Sequence, residues 1–270
     1  MEDFNHILEK LDKPSSRYRS APFLAWNDNL DSKRLVEQIE LMRREGVGGF
    51  FIHSREGLET PYLSTEWMNH VETVLFHAEQ SDLEVWIYDE DTWPSGSAGG
   101  AVSGTNPQEF SAKGVTIELL SFPIREEIVK LGEDKDIIAI YQIVRDDSNS
   151  SRLTHFHQVK LGNDYKDENS SREFLICRKE VSGSSEWYNN HAPSNNLNPD
   201  AVKSFIEKTH QSYAKQFKKD FGKGIKGFFT DEPNICDFFA HYTQGRPWLP
   251  WSELVPTLFE EKNGYSLFDI

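Results

Sequence analysis

Four short apolar segments alternate along the chain with segments of helical periodicity, and this alternation restricts the folds available to it. The apolar segments span residues 23–26, 49–52, 84–88 and 225–230. Between them, apolar residues recur at the three- and four-residue spacing of amphipathic helices. Strands that are apolar on both faces are typical of a parallel sheet covered by helices. The sequence therefore predicts the α/β class.

Local signals mark where the predicted helices begin. Asp31 or Ser32 is placed to cap the first helix, and Ser64 is placed to cap the second. Pro199 occupies the first turn of a third helix, where its missing N–H costs nothing. A last helix is predicted over about residues 252–262.

The pattern changes in the middle of the chain. Residues 113–182 are strand-like without clear helices, and their polar stretches are rich in Ser and Asn. This pattern predicts a small antiparallel β insertion with exposed loops. The strand–helix part of the chain is accordingly divided into a first part, residues 1–112, and a continuation, residues 183–270.

The charge of the chain narrows the classes of partner. The 44 acidic and 29 basic residues give a formal net charge of -15. Nucleic-acid phosphates and anionic membranes are repelled by such a chain, so neither is expected as a partner. A neutral ligand such as a sugar meets no such objection.

Several kinds of cofactor and location are also disfavoured. The two cysteines, Cys177 and Cys236, lie far apart, which excludes a thiolate-bound zinc or iron–sulfur cluster and favours reduced thiols. No GxGxxG or GK(S/T) pattern occurs, so no nucleotide cofactor is expected. The first residues lack a basic region followed by an apolar run, and no stretch approaches a membrane span. We therefore expect a cytoplasmic protein.

Polar side chains follow all four predicted strands, with Asn27 after the first and His53 and Arg55 after the second. The third strand runs into Asp89, Glu90 and Asp91, and the fourth into Asp231 and Glu232. In parallel α/β folds, functional groups collect at the carboxyl ends of the strands. The sequence therefore predicts a site there; the alternative is that these acids cap helices on solvent-facing loops.

Paired carboxyl groups are the requirement for glycoside hydrolysis, which needs a proton donor and either a nucleophile or a water-activating base. Asp231 and Glu232 are adjacent, so on a regular strand they face opposite ways and are not expected to form the pair themselves. Glu232 is the better catalytic candidate because its side chain reaches further, while Asp231 orients a neighbour or caps a helix. The alternative for Glu232 is a cap or a surface ion pair.

The acidic run 89–91 has three interpretations: a second catalytic carboxylate, an acceptor for sugar hydroxyls, or oxygen ligands for a cation such as calcium. Trp93 suits stacking on a sugar face, or it belongs to the core. His53 and Arg55 suit contacts to substrate hydroxyls, although a lone histidine is as often structural. His210 falls in the middle of a predicted helix and is interpreted as structural.

Together these motifs resemble the catalytic barrel of glycoside hydrolase family 106, which contains α-L-rhamnosidases. The resemblance covers most of the chain outside the β insertion, and the matching segments occur in the order expected for that family. These segments are residues 22–27, 48–53, 62–67, 88–96, 197–222 and 227–233. It implies a (β/α)8 barrel, calcium-assisted inverting hydrolysis and a sugar pocket at the strand ends. Glu232 matches the carboxylate that follows the fourth strand in that family, and its role as general acid is a hypothesis.

One departure from the family pattern is the number of repeats. Only about four βα units are visible, and half a barrel leaves an open parallel edge that must be covered. The chain is therefore expected to be an excerpt of a longer enzyme, a half-barrel that pairs as a homodimer, or a degenerate relative. The corresponding functions are a glycoside hydrolase or a carbohydrate-binding protein without turnover. A metal-dependent sugar isomerase or lyase is a third, weaker alternative.

Overall fold

The computed structural model describes residues 11–12, 14–121, 123, 125–146, 149–159, 173–235 and 246–269. The strands are β1 Phe23–Trp26, β2 Gly49–Ser54, β3 Glu84–Asp91, β4 Lys113–Ser121, β5 Ile137–Asp146, β6 Asn149–Gln158, β7 Glu173–Val181, β8 Ile225–Phe229 and β9 Trp248–Trp251. The helices are α1 Ser32–Arg44, α2 Thr65–Gln80, α3 Ala101–Thr105, α4 Pro107–Phe110, α5 Arg125–Gly132, α6 Pro199–Lys208, α7 His210–Phe217 and α8 Val255–Asn263. None of the described helices has the length and apolarity that a bilayer crossing requires.

A parallel sheet and an antiparallel sheet organise the molecule, and the predicted α/β class is confirmed in this form. The parallel sheet has four strands in the order β1-β2-β3-β8. Among the described residues it is open, with β1 and β8 as its two edges. The carboxyl ends of its strands lie along one rim, where the sequence predicted a site.

The predicted caps start the helices that cover this sheet. The Asp31 side chain accepts a hydrogen bond from the Arg34 N–H, and the Ser64 side chain accepts one from the Trp67 N–H. Such a cap stabilises a helix by about 1 kcal/mol because it satisfies a backbone donor that the helix leaves unpaired. Asn198 caps α6 in the same way, with Pro199 in the first turn as predicted.

One face of the parallel sheet, called here the outer face, forms the main core against α1, α2 and α7. Its strand residues Phe50, Ile52 and Ile87 are completely buried. The core also holds a buried hydrogen bond from Trp67 Nε1 to the Tyr213 hydroxyl, 2.9 Å long. Each fully buried side chain of this size contributes roughly 1.5–3 kcal/mol, so this face fixes the sheet against its helices.

The opposite face, called here the inner face, is lined by aromatic rings: Phe23, Phe51, Trp86, Tyr88 and Phe229. Their ring centroids lie 5.1–5.8 Å apart in the pairs they form. Trp86 packs so closely over β2 that a side chain at Gly49 would lie 2.7 Å from its ring. Phe23 nevertheless keeps 48% of its surface exposed, whereas the outer-face residues are buried. The inner face is therefore the less covered side of the sheet.

The antiparallel sheet has five strands in the order β6-β5-β7-β4-β9. Two of its features were not predicted. α5 forms where no helix was expected, and it buries Ile128 with Ile140, Phe174 and Ile176. β9 follows β8 in the chain but pairs with β4, with Trp251 opposite Lys113. This pairing joins the last part of the chain to the antiparallel sheet through residues that are far apart in sequence.

Candidate functional site

The rim of the parallel sheet brings His53, Tyr88 and Asp231 together from three adjacent strands. The Tyr88 hydroxyl donates to Asp231 Oδ2 over 2.8 Å. The His53 ring stacks on the Tyr88 ring, with 3.7 Å between centroids. His53 Nε2 lies 3.4 Å from the Thr92 carbonyl oxygen, which can only accept, so this nitrogen carries the proton. The group forms a short series of oriented donors and acceptors.

Burial sets the charge states within this group. It lowers the pKa of His53 to about 4, and the nearby Arg55 acts in the same direction, while the Thr92 carbonyl and Asp231 oppose them. His53 is therefore neutral near pH 7. Burial and the hydrogen bond to Asp231 raise the pKa of Tyr88 far above its usual range, so Tyr88 stays a phenol that donates. Asp231 thus has a neutral, permanently oriented donor beside it.

Asp89 lies beneath the rim, where it is fully buried and joins three segments. Its Oδ1 accepts from Ser95 Oγ at 2.7 Å, and its Oδ2 accepts from Thr230 Oγ1 at 2.5 Å. His210 Nε2 lies 3.1 Å from the same Oδ2. Ser95 also exchanges two hydrogen bonds with the backbone of Asp231, each 2.9 Å long. Asp89 therefore links the loop after β3 to the end of β8.

Glu90 is enclosed by the backbone of the loop that follows it. Its Oε2 accepts from the N–H groups of Gly96, Ser97 and Ala98 over 2.7–2.9 Å. Its Oε1 accepts from the N–H groups of Gly99 and Asp91. Burial raises the pKa of Glu90 to about 7, and the backbone donors act in the opposite direction. The carboxyl group organises the loop, so a direct contact with substrate, predicted for Asp89 and Glu90, requires this loop to open.

Asp91 is the member of the acidic run that reaches the surface. One carboxylate oxygen accepts from Ser54 Oγ, and the other accepts from Asn189 Nδ2 at 3.0 Å. It lines a cleft of about 380 Å³ together with Arg55, Trp187 and Asn189. This cleft is the site into which the predicted residues Arg55 and Asp91 both project.

The remaining predicted residues lie around the cleft. The Trp187 Nε1–H group donates a hydrogen bond to the Trp93 carbonyl oxygen. This bond fixes the Trp187 indole ring beside the Trp93 backbone. Asn27 is exposed at the end of β1, and its carbonyl oxygen would lie 2.9 Å from a Cβ at Gly57. Gly57 has a φ of +96°, so both the close approach and the backbone conformation require glycine there. Asn27 thus borders the Arg55 loop.

Glu232 is exposed on the rim, beyond the end of β8. It takes a left-handed backbone conformation with φ +41°, and Thr92 does the same with φ +72°. Such conformations are unfavourable for residues with a side chain and concentrate at functional sites. Among the described residues, the Glu232 carboxyl makes no hydrogen bond or ion pair. It is therefore open to a ligand.

Sequence reasoning missed several residues of this site. His210 was interpreted as a structural residue in mid-helix; the helix is interrupted at Thr209, and His210 begins α7, where its hydrogen bond to the buried Asp89 was not foreseen. Trp187 and Asn189 come from a segment after the β insertion that carried no motif. Only Tyr88 had a signal, since it directly precedes the acidic run.

The arrangement of the oxygen atoms on the rim determines whether it can hold a metal ion. Across the ranges that the structure describes, no three His, Cys, Asp or Glu side chains are arranged to hold a metal ion. The oxygens of Asp89 and Glu90 already accept hydrogen bonds, which leaves them unsuited to calcium. Cys177 is a free thiol, and Cys236 lies outside the described residues. Calcium dependence stays a prediction from the resemblance.

No family model matches the chain, and no curated protein matches it. Among solved structures, the chain is similar to the structure of a rhamnosidase from Novosphingobium sp. PP1Y, with 22% identity and a TM-score of 0.34. The match covers 42% of this chain and 11% of the rhamnosidase chain. The chain thus matches only a small part of the length of that rhamnosidase.

Proposed function

We propose that the chain is a carbohydrate-active protein of the glycoside hydrolase type, with its site on the rim of the parallel sheet. One observation carries the proposal. Glu232 stands open beyond the end of β8, and the adjacent Asp231 accepts from the neutral Tyr88, on whose ring the neutral His53 stacks. Hydrolysis of a glycoside needs carboxyl groups in such a setting, since one must be able to give a proton while another stays ionised.

The two carboxyl groups differ in their surroundings, and this suggests different roles. Asp231 accepts from the Tyr88 hydroxyl, so it is assigned to binding a sugar hydroxyl or stabilising positive charge at the reacting carbon. The Glu232 carboxyl is exposed, and no described group bonds to it, so it is free to approach the leaving oxygen of a bound glycoside. We assign Glu232 as the general acid. Asp91, on the wall of the cleft, is the candidate for the second carboxylate.

The cleft supports a neutral sugar as substrate. Its lining combines one cation, Arg55, with three carboxylates, Glu56, Asp91 and Glu186. A negatively charged sugar acid would be repelled by this lining, whereas hydroxyl groups find both donors and acceptors. Trp187 supplies an indole surface of the kind on which sugar rings stack. The sequence resemblance is the reason for proposing α-L-rhamnosides as the first candidates among neutral sugars.

A panel of aryl glycosides, with rhamnosides first, tests the proposal. Hydrolysis by the unmodified chain is measured with calcium and with a chelator, which also tests the predicted calcium dependence. Glu232→Gln is expected to lower turnover by ~100-fold or more, because loss of a general acid removes a step of that size. Glu72→Gln, an exposed substitution on α2, is the control. Equal rates for Glu232→Gln and the unmodified chain would contradict the assignment.

A carbohydrate-binding protein without turnover is the second candidate. Asp89 and Glu90, two of the acids at the end of β3, are buried and hydrogen-bonded within the protein, which reduces the number of carboxylates available for chemistry. Titration of the same sugars by calorimetry separates the two functions. Saturable binding without hydrolysis of any glycoside favours this candidate; hydrolysis that depends on Glu232 rejects it.

A further inference from the structure

The turn that carries Glu232 is hydrogen-bonded to other segments on both sides of that residue. Before it, the Asp231 N–H donates to Ser95 Oγ, and the Asp231 carbonyl accepts from the Ser95 N–H, each over 2.9 Å. After it, the Asn234 carbonyl accepts from Asn196 Nδ2 over 2.9 Å. Glu232 and the proline that follows it lie between these two attachments. The backbone on either side of the exposed carboxyl group is therefore fixed from outside the turn.

Asn196 belongs to the segment between the β insertion and α6, which also carries Trp187 and Asn189. Besides its bond to the turn after β8, its Nδ2 group lies 3.5 Å from the Ser95 carbonyl oxygen, in the loop after β3. A Cβ at Gly96 would lie 2.4 Å from Asn196 Oδ1, so the amide packs directly on that loop. One side-chain amide thus contacts both of the loops that carry the acids of the rim.

The backbone conformation of Glu232 needs such support. Its φ of +41° lies in the left-handed region, which is unfavourable for a residue with a side chain and persists only where the surrounding structure fixes it. Pro233 cannot help through a backbone hydrogen bond of its own, because it has no N–H. The support therefore comes from the neighbouring segments, through Ser95 before Glu232 and through Asn196 after it.

We propose that Asn196 is a positioning residue, whose side-chain amide fixes the turn of residues 231–234 and with it the place of the Glu232 carboxyl group. The inference rests on the proposed function, since Glu232 is the general acid there. A catalytic group must be held to within about 0.5 Å of its productive geometry, and hydrogen bonds from surrounding residues provide that precision. Asn196 acts through Glu232 and is assigned no contact with the substrate.

The dependence of hydrolysis on the leaving group tests this role. A general acid is needed for a methoxyphenyl glycoside, whose leaving oxygen must be protonated as it departs, and is hardly needed for a dinitrophenyl glycoside, whose leaving group departs as an anion. Asn196→Ala is expected to lower kcat by ~10-fold or more on the first substrate and by less than ~3-fold on the second. KM should change little for either. A residue that only stabilises the fold would lower both rates equally.

Two further variants separate the hydrogen bond from other effects. Asn196→Asp keeps the shape that packs on Gly96, but the ionised side chain offers no N–H to the Asn234 carbonyl, so the pattern of Asn196→Ala is expected again. Asn198→Ala is the matched control. The Asn198 amide also donates to a backbone carbonyl of another segment, that of Glu109 over 3.1 Å, and its loss removes the cap of α6. This control should leave the ratio of the two rates unchanged.

A measurement without sugar separates this inference from the proposed function. NMR relaxation gives the order parameter of the Glu232 N–H, which is about 0.85 for a rigid backbone and below about 0.6 for a flexible one. It should fall from the rigid range in Asn196→Ala and remain there in Asn198→Ala. If the unmodified chain cleaves no glycoside, the proposed function fails, and the order parameter alone decides: a rigid Glu232 in Asn196→Ala overturns the inference. If the chain is active, equal losses of kcat on both substrates, or no loss, overturn it.

Discussion

Acids at the ends of β3 and β8 lie on the same rim but are used in different ways. At the end of β3, Glu90 is buried and accepts from the backbone N–H groups of residues 96–99 and 91. At the end of β8, Glu232 is exposed and no described donor reaches it. The difference shows that an acid at a strand end becomes structural when its own loop returns to it.

The geometry of the two loops explains the contrast. After β3, the loop of residues 95–100 carries glycine at three positions with positive φ, which lets successive N–H groups turn toward one carboxylate. After β8, Pro233 follows Glu232 at once and offers no N–H. The first loop therefore stabilises the rim, whereas the second leaves its carboxylate available for a ligand.

Replacing Glu90 is expected to have the largest effect on stability. In Glu90→Gln, an amide NH2 group must face at least two backbone N–H donors, which then lack an acceptor in a buried position. We expect the free energy of unfolding to fall by ~3 kcal/mol or more. Urea unfolding at neutral pH measures the loss.

Glu232→Gln is the natural control for this change because it alters the same functional group in the exposed position. It is expected to change the free energy of unfolding by less than ~0.5 kcal/mol. A loss of stability as large as that of Glu90→Gln would mean that both strand ends are structural. The contrast between them would then be wrong.

The next effect concerns pH and the histidine between the two strand ends. Burial holds the pKa of His53 at about 4, below its ordinary value of 6.5, so the folded state binds this proton less readily than the unfolded state. Stability linked to His53 is therefore complete above pH 6.5 and is lost as the pH falls from 6.5 toward 4. Solvent still screens part of the environment of His53, so we expect the free energy of unfolding to fall by ~1–2 kcal/mol in total over this pH range.

Urea unfolding of the unmodified chain and of His53→Gln, at about pH 7.5 and about pH 4.5, checks this expectation. Glutamine can still donate to the Thr92 carbonyl but does not titrate. The unmodified chain should lose more stability on acidification than the variant does. Equal losses would show that His53 titrates normally and that the rim is more open than its structure indicates.

The features that sequence predicted are those that depend on neighbouring residues. Asp31, Ser64 and Pro199 were expected at helix starts and lie there, because capping is decided within one turn. The parallel strands were recognised from apolar runs, although β3 continues three residues further than expected, to Asp91. Asp89, Glu90 and Asp91, which were predicted to follow β3, therefore belong to that strand.

The features that sequence could not predict depend on contacts between distant segments. The hydrogen bond between Asp89 and His210 joins residues 121 positions apart. The pairing of β9 with β4 crosses an even larger stretch of chain. Neither leaves a periodic pattern, and the burial of Glu90 depends on loop conformation more than on residue type. The sequence identified the acids at the strand ends, but only the structure shows which of them are buried and which are exposed.

The smallest expected effect on stability is that of removing a tyrosine hydroxyl, and it should differ between Tyr88 and Tyr62. The Tyr88 hydroxyl bonds Asp231 across β3 and β8, while the buried Tyr62 hydroxyl has no partner among the described residues. Tyr88→Phe is expected to lower the free energy of unfolding by ~1 kcal/mol, the usual net contribution of such a bond. Tyr62→Phe removes a buried polar group that is unsatisfied, so it should be neutral or stabilising.

Thermal and urea unfolding of the two tyrosine variants, measured side by side, decide whether the hydroxyl of Tyr88 couples the structural end of the rim to the open one. Both substitutions remove one oxygen atom from a ring that stays in place, so packing changes cancel in the comparison. If Tyr88→Phe proves as neutral as Tyr62→Phe, Asp231 is held by its backbone link to Ser95 alone. The side chain of Asp231 would then be as free as that of Glu232, and the two acids that follow β8 would be equivalent candidates for the proton donor.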